Sequence, residues 1–118
     1  MKYMEKQILQ TDKGNVAYWQ SKNWAAGKET IFFLHGLTAD HSMFDDQIAA
    51  FGEEYNILTW DTPAHGASRP FETFDFGDTS NYMKQILDEH SVVRAVLVGL
   101  ALNAHKIGYV LAPGVLCR

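Results

Sequence analysis

Two stretches of the chain decide its fold: TIFFLHG at residues 30–36 and YNILTWDTPAHGAS at residues 55–68. Each begins with a short apolar run and ends in polar residues and glycine, and RAVLVG at residues 94–99 repeats the pattern. Unbroken apolar runs of this length are typical of parallel strands that are covered on both faces. The three stretches therefore predict buried strands at residues 30–34, 55–60 and 94–98.

The segments between these strands show helical periodicity, in which apolar residues recur at intervals of three and four. The predicted helices cover residues 43–51 and 76–90, and Ser42 is expected to cap the first of them. The apolar stripes are Phe44, Ile48 and Phe51 in the first helix and Phe76, Met83, Ile86 and Leu87 in the second. Strands and helices that alternate through short connections predict an α/β fold.

An antiparallel hairpin is predicted before the first buried strand. Residues 5–11 and 15–20 flank the turn DKGN, where Gly14 can take a left-handed conformation. The predicted fold class is α/β: a mostly parallel sheet flanked by helices, with an N-terminal antiparallel hairpin at one edge. Residues 1–118 are expected to form a single domain.

Composition excludes several classes of function. The net charge is −4, and no basic cluster exceeds two residues, so we expect neither nucleic acid nor a membrane surface as a partner. Cys117 is the only cysteine, and the five histidines lack metal-ligand spacing, so we expect no metal site and no cofactor. The N-terminal residues are too charged for a signal peptide. A cytoplasmic protein is the resulting expectation.

The candidate chemistry follows the buried strands, because ligands of parallel sheets bind beyond the carboxyl ends of the strands. The three following segments read HGLTAD, DTPAHGAS and GLALNA. The pattern of H-G after one strand, D-x-P-x-H-G-x-S after the next and V-L-V-G at the third resembles the α/β-hydrolase superfamily. The resemblance covers residues 2–99 and implies part of that fold.

The resemblance implies an oxyanion hole made of two backbone N–H groups. His35 and Gly36 would turn the chain so that the N–H of Leu37 points into the site, and the second donor would be Leu102. A glycine at position 36 suits such a turn because it has no Cβ.

The resemblance also implies structural residues around the site. Asp61 and His65 would brace the loop after the second buried strand, and Gly66 would supply an unusual backbone angle there. Gly99 would open the turn at which this family places its nucleophile.

The chain departs from the family at that nucleophile turn. The family pattern G-x-S-x-G is matched by GLALN at residues 99–103, so Ala101 stands at the position of the nucleophile and has no hydroxyl to activate. The catalytic acid and histidine of the family follow later strands, which we expect this chain not to reach. We therefore expect the chain to lack a working catalytic triad.

Two classes of function remain open. The chain is related to hydrolases of carboxylic esters or other small acyl compounds, as an incomplete or altered form, or it is a non-catalytic α/β-hydrolase-like binding module or truncated product. A serine at position 101 in the full reading frame, with a downstream acid and histidine, would separate the two.

The last residues carry a structural expectation. They predict a short helix at about residues 105–111 and a strand stub at residues 115–117 after Pro113. Strand 94–98 would then keep an unpaired edge, and such edges are templates for pairing with another chain. We expect a homo-oligomer formed through that edge.

Overall fold

The computed structural model describes residues 3–34, 41–63, 66–71, 76–99 and 107–111. Within these residues, six strands form one mixed sheet in the order β1-β2-β4-β3-β5-β6, and a 3-10 helix and two α-helices connect them. The strands are β1 Met4–Thr11, β2 Gly14–Ser21, β3 Thr30–Leu34, β4 Asn56–Trp60, β5 Arg94–Gly99 and β6 Ile107–Leu111. The α-helices are α1 Asp45–Phe51 and α2 Phe76–Glu89.

The three predicted buried strands form the parallel part of this sheet. β3 lies in the middle, pairing in parallel with β4 from Thr30 to Phe33 and with β5 from Thr30 to Leu34. The α/β class and the helix-flanked sheet are therefore confirmed. The sheet as a whole is mixed rather than mostly parallel, because β1–β2, β2–β4 and β5–β6 pair antiparallel. Parallel pairing puts the carboxyl ends of β3, β4 and β5 at one edge, which we call the carboxyl edge.

Neighbouring residues of each central strand enter two different cores, one on each face of the sheet. Phe32 and Leu58 pack with α2 residues such as Ile86 and Leu87. Phe33 and Ile57, one position along in sequence, pack on the opposite face with Ile48 of α1. Coverage on both faces is the physical reason that these strands read as unbroken apolar runs.

The N-terminal hairpin is present where the sequence predicted it. β1 and β2 pair over their whole length, from Met4 with Ser21 to Thr11 with Gly14, at one edge of the sheet. Gly14 has a φ of +151°. A Cβ added there would lie 2.9 Å from the Pro70 carbonyl oxygen, so the turn requires glycine.

The start of the first helix differs from the prediction. His41–Phe44 is a 3-10 helix, and α1 begins at Asp45 with Phe44 at the N-cap position and no side-chain cap. Ser42 is therefore not the α1 cap. Phe51, the last residue of α1, is 43% exposed, and its ring lies edge-on against the ring of Tyr55.

The predicted C-terminal helix is wrong, because residues 107–111 form a strand. β6 pairs antiparallel with β5 from Val98 with Ile107 to Arg94 with Leu111. The segment IGYVL is rich in strand-forming β-branched and aromatic residues and contains a helix-weakening glycine. The edge of β5 is therefore paired, which corrects the expected free edge. The predicted stub at residues 115–117 lies outside the described residues.

The longest described helix, α2, presents Tyr82, Met83, Ile86 and Leu87 to the core. Three of these four residues belong to the predicted stripe; the side chain of Phe76 is not described. In the part of the chain that the structure covers, no helix has the length and apolar character needed to cross a membrane.

Candidate functional site

The predicted site residues follow strands whose ends are brought together. Leu34 at the end of β3 pairs with Gly99 at the end of β5, and β4 ends on the other side of β3. The segments that follow these strands therefore leave the sheet at the same edge. His35, Gly36, Leu37, His65, Ala101 and Leu102 lie outside the described residues, and the assignment of the whole set to an active site stays a prediction.

Asp61 is the first residue after β4 and is fully buried. Its backbone N–H donates to the Ala17 carbonyl at 3.0 Å, which extends the β2–β4 ladder past Trp60. Its carboxylate oxygen Oδ2 accepts a hydrogen bond from the Ala67 N–H at 2.7 Å. A buried carboxylate with a backbone N–H partner braces the loop that follows it.

Gly66 closes this loop over Asp61. Its φ is +46°, in the left-handed region that favours glycine. A Cβ at position 66 would collide with the Asp61 carboxylate, lying 2.6 Å from Cγ. Both the backbone angle and the space therefore require glycine at this position.

Ser68 connects the loop to the hairpin, a role that the sequence did not predict. Its Oγ accepts a hydrogen bond from the Ala17 N–H at 2.8 Å and donates to the Asp61 carbonyl at 2.5 Å. The side chain is fully buried. Ser68 thus takes the place of a strand partner for Ala17 beyond the end of β4. The only sequence signal for it is the last serine of D-x-P-x-H-G-x-S.

The end of the loop contacts the hairpin turn. Phe71 forms an isolated antiparallel bridge with Gly14, and its ring packs edge-on against Tyr82 of α2, with 5.8 Å between centroids. Lys13, in the turn, pairs with Asp78 at the start of α2 at 2.8 Å. That hydrogen bond raises the pKa of Lys13 above its usual value. The hairpin therefore holds both ends of the segment that leads from β4 to α2.

The described part of this region offers bracing contacts rather than a complete set of reacting groups. Asp61 and Ser68 are buried and hydrogen-bonded to backbone, which orders the loop at the carboxyl edge. Asp45 and Asp46, in the first turn of α1, are exposed and placed to complement the helix dipole. No group of three His, Cys, Asp or Glu residues that could hold a metal ion occurs within the described ranges.

Comparison with known proteins identifies the class to which this fold and loop belong. The model of the alpha/beta hydrolase fold family matches residues 29–100, which is 72 of the 118 residues. The chain belongs to the α/β-hydrolase fold family.

Individual relatives agree with this assignment. The chain is 31% identical over 73 residues to 3-oxoadipate enol-lactonase 1 of Acinetobacter baylyi, covering 62% of this chain and 27% of that protein. It is 28% identical over 88 residues to 2-succinyl-6-hydroxy-2,4-cyclohexadiene-1-carboxylate synthase of Escherichia coli, covering 75% and 34%. A hydrolase from Pseudomonas aeruginosa superposes with a TM-score of 0.69 at 25% identity, covering 80% and 36%. The chain spans about a third of the length of these relatives.

Proposed function

We propose that this chain supplies one side of an α/β-hydrolase active site, related to those that act on carboxylic esters or similar small acyl compounds. We further propose that this chain of 118 residues does not itself carry out acyl transfer. The second proposal rests on Ala101, which has no hydroxyl and is the third residue of GLALN, the segment that we align with the family pattern G-x-S-x-G.

The register of the parallel strands supports the proposed oxyanion hole. Leu34 and Gly99 are directly paired at the ends of β3 and β5. Leu37 and Leu102 each follow one of these paired residues by three positions. We expect two backbone N–H groups to converge on one oxygen atom when they follow the paired ends of neighbouring parallel strands by the same number of residues.

The name of one relative supports the substrate class. An enol-lactonase acts on a lactone, which is a cyclic ester, and this relative matches 62% of the chain. Fold membership alone does not select a reaction. We therefore propose a small-molecule acyl substrate for the intact site of the family and not for these 118 residues by themselves.

Ester hydrolysis tests the proposed inactivity directly. With p-nitrophenyl acetate we expect no burst phase, and a serine-directed phosphonate should not label the chain, because no serine stands at position 101. An oxyanion hole alone can leave a rate about 10³–10⁴-fold above water, so slow hydrolysis without a burst is compatible with the proposal. An inert protein at equal concentration gives the background rate.

The variant Ala101→Ser sharpens this test. We expect it not to restore turnover, because a serine hydroxyl without an assigned general base is a weak nucleophile. A burst or stoichiometric phosphonate labelling of the unaltered chain would contradict the proposal. Ester-dependent shifts in the amide resonances of Leu34, Asp61 and Gly99 without hydrolysis would favour the second candidate function, a non-catalytic binding module.

We also propose that the chain self-associates through the outer edge of β6. In the described sheet β6 is the last strand and pairs with β5 on one side. The opposite edge strand, β1, carries Glu5 and Lys6, and charged residues oppose edge-to-edge pairing. Sedimentation velocity at increasing micromolar concentrations should show a monomer–dimer equilibrium. A single monomeric species over the whole range would contradict it.

A further inference from the structure

The C-terminal end of α2 is held to two other elements by a cluster of polar and aromatic side chains. The Tyr18 hydroxyl, on β2, lies 2.9 Å from Glu89 Oε2 and 3.0 Å from His90 Nε2. The ring of His90 also contacts the ring of Trp24, from the β2–β3 connection, at 5.1 Å between centroids. We call these four residues, Tyr18, Trp24, Glu89 and His90, the clasp.

The hydrogen-bond directions of the clasp follow from its chemistry. A hydroxyl has one proton, and the ionised Glu89 can only accept, so Tyr18 donates to Glu89. The Tyr18 oxygen must then accept from His90, which places a proton on Nε2. The second ring nitrogen, Nδ1, is bare in the neutral histidine. Protonation of His90 therefore adds a charge to a half-buried ring without adding a hydrogen bond to Tyr18.

The helix end that the clasp holds is itself strained. The Ser91 N–H donates to the Asp88 carbonyl and the Val92 N–H to the Leu87 carbonyl, which together close a Schellman motif. The residue in its left-handed position is Ser91, with a φ of +55°, where glycine is usual. A non-glycine residue at this angle costs free energy and weakens the helix end. The contacts of the clasp therefore stabilise a helix end whose own backbone is strained.

We propose that the clasp is a proton-sensitive latch, in which protonation of His90 loosens the C-terminal end of α2 from β2 and from the β2–β3 connection. The helix end leads through Ser91 and Val92 directly into β5. Loosening the latch would therefore relax the connection to the strand that ends at Gly99.

The direction of the effect depends on the burial of His90 and on the charges around it. Glu89 lies on the same element and favours the protonated ring, and Tyr18 faces it from β2. His90 also lines an open cavity of about 560 Å³ beside the amino ends of the parallel strands, together with Lys28, Glu29 and Arg94. Of these, Glu29 and Arg94 pair loosely at 3.7 Å, so they largely offset each other.

Burial outweighs the attraction of Glu89 and lowers the pKa of His90 below its ordinary value of about 6.5. The unfolded chain therefore takes up a proton at a higher pH than the folded chain. Stability is fully present above about pH 6.5, is lost as the pH falls toward the folded-state pKa, and falls no further below it.

Nuclear magnetic resonance of the full chain tests the proposal without any substitution. The His90 ring resonance, identified through its contacts with Tyr18 and Trp24, should titrate below about pH 6.5. After correction for intrinsic rates, the amides of Ser91 and Val92 should exchange faster at about pH 5 than at about pH 7.5. A midpoint at or above the ordinary value, or exchange rates that do not respond, would overturn the proposal.

Substitutions then distinguish a proton-sensitive latch from a contact whose strength does not depend on pH. His90→Gln keeps a donor for Tyr18 but does not titrate, so its melting temperature should fall less than that of the unaltered chain between about pH 7.5 and about pH 5. His41→Gln, in the 3-10 helix, is the matched control and should keep the original dependence. Ser91→Gly should raise the melting temperature through the helix end and leave the pH dependence unchanged. An identical pH dependence in His90→Gln and the unaltered chain would contradict a latch.

Discussion

Strand β2 is fastened to the rest of the molecule by two groups of side chains that differ in burial and in chemistry. At the carboxyl edge, Ser68 and Asp61 bond to Ala17, and all three residues are fully buried. One residue further along β2, Tyr18 reaches the half-buried His90 at the end of α2. The first joint consists of a serine hydroxyl and the backbone groups of Ala17 and Asp61, whereas the second contains a histidine.

This difference separates a permanent joint from an adjustable one. Hydroxyl and backbone groups keep their protonation over the physiological range, so the Ser68 joint holds the loop after β4 under all such conditions. A histidine is the side chain whose charge changes most readily between about pH 5 and 8. The same strand is thus fixed beside the predicted site and held by a proton-sensitive contact at the far end of α2.

The largest expected loss of stability tests the permanent joint. Gly66→Ala should lower the free energy of unfolding by about 2–4 kcal/mol, because it forces a side chain into the left-handed region and against the Asp61 carboxylate. Gly27→Ala is the matched control. Gly27 also has a positive φ, +89°, but a Cβ there would meet nothing within 4 Å.

The control should cost about 1–2 kcal/mol, from backbone strain alone. Urea titrations of both variants, with an unchanged m-value, give the comparison. Equal losses in the two variants would mean that Asp61 yields to the added methyl group. The loop after β4 would then be softer than its buried hydrogen bonds indicate.

Local pattern was enough to predict the central sheet. An unbroken apolar run such as residues 30–34 indicates from the sequence alone that both faces of the strand are buried. Gly14 likewise indicates that its turn needs a backbone angle that favours glycine. The segment IGYVL was misassigned because five residues do not separate a helical from an extended period, and its pairing with β5 decides the outcome.

The two joints could not be predicted, because each depends on residues far apart in the chain. Ala17 and Ser68 are separated by 51 positions, and Tyr18 and His90 by 72. No local sequence pattern around either residue indicates which distant residue it contacts. The candidate site likewise has a part that the sequence predicts and a part that it does not. Gly66 and Asp61 belong to a recognisable motif, whereas the hydrogen bond of Ser68 to β2 depends on how the hairpin packs against the loop.

The smaller expected effect sharpens the contrast between the joints. Ser68→Ala removes the hydroxyl that accepts from the Ala17 N–H and donates to the Asp61 carbonyl, and it leaves a buried N–H without that partner. We expect the free energy of unfolding to fall by about 1–3 kcal/mol, the usual cost of such a group. Ser80→Ala, at an exposed position of α2, is the control and should change stability by about 0.5 kcal/mol or less, in the stabilising direction.

The pH dependence of that loss tells the two joints apart. Since neither the Ser68 hydroxyl nor the backbone groups of Ala17 and Asp61 titrate near neutrality, the difference between Ser68→Ala and the unaltered chain should be the same at about pH 5.5 and about pH 7.5. Urea titrations at both values measure it. If the loss instead shrinks at the lower pH, protonation already weakens the Ser68 joint in the unaltered chain. The two attachments of β2 would then open together, and the loop beside the predicted site would share the proton sensitivity of His90.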